Sequence, residues 1–140
     1  MRMLRQINVQ WDLTLGEAIL PDQPKPFLLH SAFLSLSAGA APNDRLPSLV
    51  INFGGVSTCL YAPGEPIGGG SEGTVNFYSW SRSGGIWDKN IDTGNSYSQV
   101  PIPWDLPIDS RFSVKLKIFE WDSSAKDTLT EASFLVEDLP

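Results

Sequence analysis

The chain has 140 residues, the size of one domain, with a net charge of −6 and a sequence pI of about 4.6. A chain of this length buries roughly 70% of the surface its unfolded form exposes, so it needs no disulfide staple, and its single cysteine, Cys59, could form none internally. The acidic balance excludes a sequence-independent nucleic-acid surface, which needs clustered Lys and Arg to neutralise phosphates, and it disfavours an anionic membrane for the same reason.

Arg2 and Arg5 lead into an alternating stretch and not into the apolar block of a signal peptide, and no run reaches the ~20 apolar residues of a membrane span. Synthesis and folding in a reducing cytoplasm, without secretion by a signal peptide, are therefore expected. Leu60 and Tyr61 beside Cys59 point to a buried thiol over a reactive one.

Ile7, Val9, Trp11, Leu13 and Leu15 alternate with Asn8, Gln10, Asp12 and Thr14, which predicts one strand over residues 7–15 with a single buried face. Residues 20–26 carry three prolines, which cannot donate to a sheet ladder, and read as an extended connector crossing between sheets. Residues 27–37 are apolar at both parities, as in a central strand covered on both faces or one that changes environment midway. A turn follows at Pro42, Asn43 and Asp44.

Leu49, Ile51 and Phe53 alternate up to Gly54 and Gly55, a tight hairpin into a strand over residues 56–61. Residues 63–73, with five glycines and two prolines, have few side chains to pack and read as a mobile surface loop. Residues 74–80 return to strand character. Residues 81–95 form a second loop, which Ile86, Trp87 and Ile91 could pin down, and residues 99–102 form a short edge strand blunted by Pro101 and Pro103.

Phe112, Val114, Leu116 and Ile118 face opposite to Ser113, Lys115 and Lys117 in the clearest strand of the second half, and Ala132, Phe134 and Val136 mark the last strand. No stretch of ten residues shows a helical stripe. The predicted architecture is all-β: a single domain over residues 1–140, an antiparallel β-sandwich of about eight strands.

Material for catalysis is scarce. The only histidine, His30, lies in the most apolar strand, where a hydrogen-bonded core imidazole is the expected role and not a general base. It has no second metal ligand nearby, and Gly68, Gly69 and Gly70 precede neither Lys-Ser nor a helix, so no phosphate loop is present. Neither enzymatic activity nor a cofactor is expected. Arg111, Lys115 and Lys117 read as a solvated polar face.

Six of the sixteen acidic residues fall from position 120 onward: Glu120, Asp122, Asp127, Glu131, Glu137 and Asp138. The stretch from Lys117 to Leu139, with Glu120, Trp121, Asp122 and then Asp127, resembles the third calcium-loop region of C2 domains. LPSLVINFGG at residues 46–55 is similar to the strand after their first calcium loop, although Leu46 stands where an aspartate is expected and leaves only Asp44 nearby; Thr130 replaces the usual later glycine. This resemblance implies a sandwich and nominates Asp44, Glu120, Asp122 and Asp127 as calcium ligands. Calcium takes six to eight oxygens, so they would form an incomplete, weak cage; acidic residues that keep an edge and a turn soluble are the favoured reading, with no metal.

FLLHSAFLSLSAGAAPNDRLPSLVINF, from Phe27 to Phe53, and VPIPWDLPIDSRFSVKL, from Val100 to Leu116, resemble small β-sandwich virion proteins of tailed bacteriophages. Leu36, Ser37 and Ala38 carry the first element, and Pro103, Leu106 and Pro107 precede the second. The resemblance implies a tail, neck, baseplate or capsid-decoration subunit.

Five tryptophans are many for this length, and Trp80, Trp87 and Trp104 fall at strand ends or in Gly/Pro-rich stretches. Such aromatics either fold back over the ends of the sandwich or anchor a partner. With Tyr97 they are the interface candidates. The expected function is a non-enzymatic structural or assembly subunit, a component of a phage virion, acting through protein–protein contacts in a homo-oligomer or hetero-assembly. The alternatives are a C2-like module with weak calcium or lipid binding and a carbohydrate-binding module that stacks sugars on Trp80, Trp87 and Tyr97.

Overall fold

Alternating stretches with one apolar parity fold as half-buried strands, because successive side chains point to opposite sheet faces. The computed structural model describes residues 4–40, 42–54, 58–82 and 96–140. The strands are β1 (Leu4–Asn8), β2 (Trp11–Asp12), β3 (Glu17–Ile19), β4 (Phe27–Ser37), β5 (Leu46–Phe53), β6 (Thr58–Pro63), β7 (Glu72–Ser79), β8 (Ser96–Ile102), β9 (Phe112–Phe119) and β10 (Thr128–Asp138). One five-stranded sheet runs β1-β10-β4-β7-β8 and the other β2-β3-β9-β5-β6. Leu29, Leu34, Phe77 and Phe134 of the first sheet pack with Leu49, Ile51 and Leu116 of the second in a common core.

Ten strands are described where about eight were expected, and the sandwich is not wholly antiparallel, because β8 runs parallel to β7. A parallel neighbour needs a crossover, not a tight turn, and the chain from Ser79 to Ser96 is long enough for one. The predicted strand over residues 7–15 is in fact two. Val9 still donates to the Ala132 carbonyl of the first sheet at 3.0 Å, whereas Trp11 pairs with Ala18 of the second. Leu13 and Leu15 then lie exposed in a turn whose amides at Thr14 and Leu15 donate to the Asp12 carboxylate. Strict alternation continues through a sheet crossing, so it could not reveal one.

β4 is apolar at both parities for two reasons. Ser31 faces Leu135 and Leu29 faces Val136, which leaves His30 as the extra residue of a bulge. The bulge switches the core-facing set from Phe27 and Leu29 to Ala32, Leu34 and Leu36. The other face is buried too: in one cross-strand row, Ser133, Phe33 and Asn76 are all removed from solvent.

The segment 63–73 is not a free surface loop. Ile67 is buried, exchanges two backbone hydrogen bonds of 2.8 Å with Arg45, and is followed by bonds from Gly70 to Gly39 and from Ala38 to Ser71. Its glycines permit close packing; a Cβ on Gly73 would come within 2.6 Å of Ile67 Cδ1. The hairpin after Phe53 begins with Gly54 at φ 45°, and β6 pairs antiparallel with β5; residues 55–57 lie outside the described residues.

The connections that change sheets cluster by end. At one end the β4–β5, β6–β7 and β9–β10 connections meet around Arg45, Ile67 and Asp127. At the other the β3–β4 connector, as predicted for residues 20–26, meets the β8–β9 connection where Phe27 and Ile108 exchange backbone bonds.

Gly16, at φ 66°, closes the β2–β3 turn under Trp121, and a Cβ there would overlap the indole ring. Trp121 is itself fixed by its Nε1–H donating to the Leu13 carbonyl at 2.6 Å. Gly16→Ala is expected to cost at least about 2 kcal/mol from backbone strain and displaced packing, read by urea unfolding. A change below about 0.5 kcal/mol, the range of neutral surface changes, would show that the ring moves aside freely.

Candidate functional site

Three of the nominated acidic residues, Asp44, Asp122 and Asp127, gather at the end where three connections meet, but around an arginine. Arg45 is fully buried. Asp127 Oδ1 accepts from the Gly39 amide at 2.6 Å and Arg45 Nη2 at 2.7 Å; Oδ2 accepts from Arg45 Nε at 2.8 Å and the Asp122 amide at 2.9 Å. Arg45 Nη1 also donates to the Asn43 carbonyl. Asp122 spends its Oδ1 on the Ser124 amide, the Ser124 hydroxyl and the Ala125 amide, which forms the short 3-10 turn at Ser123–Ala125.

The charges reinforce one another. Burial works to raise the Asp127 carboxyl, but Arg45 and the two amides together hold it below the usual carboxylate range. The Arg45 guanidinium is raised chiefly by its bonds to Asp127, with Asp122 and Asp44 adding at longer range. Of the four calcium candidates, then, Asp44, Asp122 and Asp127 lie around a cation the chain supplies itself, and Glu120 is exposed at φ 62°. A carboxylate has about four lone-pair sites and all four on Asp127 are in use, which leaves none for an ion. Among the described residues no three or more His, Cys, Asp or Glu side chains are grouped to hold a metal. Arg45 escaped the sequence reading because a lone arginine in a turn carries no local sign of burial.

The opposite end is aromatic. Phe53 and Phe112, register partners at the ends of β5 and β9, have ring centroids 5.1 Å apart, and Trp104 meets Phe112 edge-on at 5.6 Å and 78°. The Arg111 guanidinium lies 5.8 Å from the Phe53 centroid and 5.9 Å from that of Phe112, held by Asp109. Trp104 donates its indole N–H to the Leu106 carbonyl at 3.0 Å. The turn after β7 joins the same end, because Ser81 and Arg82 both bond the Asp105 carboxylate. Trp80 on that turn is 73% exposed, Leu106 60% and Phe53 37%.

Two of the four interface candidates, Trp80 and Trp104, thus come together. Tyr97 does not join them: β8 is parallel to β7, so Tyr97 lies opposite Thr74, toward the Arg45 end. Trp87 lies outside the described residues. Phe53, Phe112 and Leu106 belong to the cluster but were read as core or connector residues, since periodicity does not tell where a strand outruns the core.

Several other polar side chains are engaged, and the Cys59 side chain lies outside the described residues. His30 Nε2 lies 2.9 Å from Glu137 Oε1 with both groups buried. Lys115 and Lys117 donate to one oxygen of Glu17 at 3.1 and 2.8 Å, and Arg111 precedes β9 and pairs with Asp109, so the predicted solvated row is a set of ion pairs. Burial disfavours the charged Glu17, but the two lysines hold its carboxyl below the usual range.

No model of a known protein family matches the chain, and searches of curated proteins and of solved structures return no significant match. The virion and C2 resemblances rest on their residues alone.

Breaking a buried pair strands a charge, so Arg45→Met or Asp127→Leu is each expected to cost about 3–5 kcal/mol in chemical unfolding. The double variant should lose less than either single one, while staying below the native chain because the Gly39 and Asp122 amides lose their acceptor. Additive losses would show that the pair acts as two independent groups. Because the folded Asp127 carboxyl titrates below the unfolded value of about 3.9, its contribution is complete above that pH and lost as pH falls through the folded value. The acid limb of the stability profile should therefore flatten in the double variant.

Calcium added to millimolar levels to metal-free protein is expected to leave the melting temperature unchanged, since a bound ion would raise it. A concentration-dependent rise would overturn this account of the Arg45 end.

Proposed function

We propose that this chain is a non-catalytic subunit of a larger protein assembly and that it meets its neighbour through the aromatic end. The observation that carries the reading is Trp80, 73% exposed beside the Phe53–Phe112–Trp104 cluster and Leu106. Leaving an indole in water forgoes much of the stabilisation its burial would give, and tryptophan is enriched among residues that dominate binding energies.

The surrounding charges suit such a contact. Arg82 pairs with Asp105 and Arg111 with Asp109, so apolar groups sit beside polar groups already neutralised, the pattern of an interface core and rim. The only histidine is engaged with Glu137, which favours binding over proton-transfer chemistry. The resemblance to phage virion proteins supplies the setting: a tail, neck, baseplate or decoration subunit, made in the cytoplasm and then built into a particle.

The test is hydroxyl-radical footprinting of the chain purified alone and within the assembly from its native source. Trp80, Leu106 and Phe53 should be protected in the assembly while exposed Thr130 at the opposite end is unchanged. Trp80→Ser with Leu106→Ser should remove the protection and the association while altering stability by no more than about 0.5 kcal/mol each, as expected of exposed positions. Equal labelling of Trp80 in both samples, or a chain that occurs only free, would overturn the proposal.

A further inference from the structure

The first sheet has an open edge at β1: no described strand pairs with it on the side away from β10. Val9 donates to the Ala132 carbonyl. Amide direction alternates along a strand, so Arg5 and Ile7 turn theirs toward β10 while Leu4, Gln6 and Asn8 turn theirs outward. Unpaired edges template pairing with another chain, and proteins normally blunt them. The other edges here are blunted: β8 contains Pro101, β6 ends at Pro63, and β2 is two residues long. β1 has five residues and no proline.

The charge on β1 is also neutralised, leaving little to repel its own kind. Its one ionic residue, Arg5, is held bidentately by Asp138 at 2.7 and 2.8 Å and donates to Gln23 as well. We propose that β1 pairs antiparallel with β1 of a second copy of this chain about a twofold axis beside Gln6, merging two five-stranded sheets into one.

Backbone geometry selects that register. With Gln6 opposite Gln6, the two glutamines exchange both backbone bonds and each Leu4 exchanges with the other copy's Asn8, so every outward amide finds a partner. Moving the axis to Arg5 or Ile7 would leave the outward amide of Asn8 or Leu4, respectively, unpaired within β1. Arg5 then lies opposite Ile7, and no like charges face each other. A partner strand of either charge would find no free charge on β1 to recognise, whereas a second copy matches it throughout. Leu4 is half exposed, and Leu13, Leu15 and Ile19 on the adjoining β2–β3 hairpin are each more than half exposed, so apolar surface flanks the edge.

The edge is separate from the aromatic end, so either contact can fail without the other. The test is light scattering coupled to size exclusion on the full chain over a concentration series, where mass should rise from 15.4 kDa toward twice that value. Gln6 is exposed and its side chain bonds the neighbouring exposed Asn8, so its substitution should leave the melting temperature unchanged. Gln6→Glu alone and Gln6→Lys alone each set like charges across the axis and should weaken the dimer several-fold; an equimolar mixture should recover it, while Trp80→Ser leaves it intact. A chain that stays monomeric into the millimolar range overturns the inference. So does a dimer that ignores both Gln6 variants, one that mixing does not recover, or one that Trp80→Ser dissolves.

Discussion

The arrangement depends on one buried ion pair. Taking a guanidinium and a carboxylate out of water costs several kcal/mol per ion, and a bare pair seldom recovers that cost. Here the Asp127 carboxylate collects four donors, two from Arg45 and one each from the Gly39 and Asp122 amides. Those groups lie on the β4–β5 and β9–β10 connections, and Arg45 is bonded through its backbone to Ile67 of the β6–β7 connection. Three crossings between sheets are therefore tied at a single point. A hydrophobic substitute of the same volume could fill the space, but it could not satisfy amides arriving from different segments. The pair thus sets the relative position of the two sheets, whatever its net contribution to stability.

That constraint divides the molecule into unlike ends. The Arg45 end satisfies itself: Asp122 and Asp127 are spent on backbone amides, a hydroxyl and a guanidinium. At the aromatic end the Phe27–Ile108 bridge joins the two crossings, and beyond it Phe112 packs obliquely against Phe53 and edge-on against Trp104 while Trp80 and Leu106 remain in solvent. A scaffold fixed at one end can present a rigid apolar group at the other with little ordering cost, which is what an assembly contact needs.

Period-two alternation made the strands legible wherever one face is buried, as in β9, where Val114, Leu116 and Ile118 reach the core and Lys115 and Lys117 do not. Three prolines placed the connector over residues 20–26, and apolar residues at both parities the central position of β4. Alternation failed where chain direction or partnership decides. Residues 7–15 alternate straight through a sheet crossing. Residues 63–73 are held by backbone bonds and one isoleucine, which composition does not register. The cluster of carboxylates was visible, but the arginine at its centre was not, because its burial depends on segments far apart in sequence. Trp80 and Trp104 could be singled out from their surroundings, and of the two Trp80 is exposed while Trp104 folds back half-buried on the core; Tyr97 was separated from them by the parallel pairing of β8, a property of topology and not of local pattern.

The crossing that misled the alternation also creates the edge. Because the chain leaves the first sheet after Val9 to pair Trp11 with Ala18, β1 ends at Asn8 and nothing returns along its outer side among the described strands. A chain of net charge −6 had acidic residues enough to guard that edge, as sheets commonly do with charges at exposed positions. Instead Leu4, Gln6 and Asn8 are neutral, and the one cation is drawn to Asp138 of the neighbouring strand. Prolines stand at the β6 and β8 edges, and β2 is too short to template a partner. Such selective blunting is hard to explain by solubility, which would call for all edges to be protected alike; it follows directly if one edge is kept for pairing.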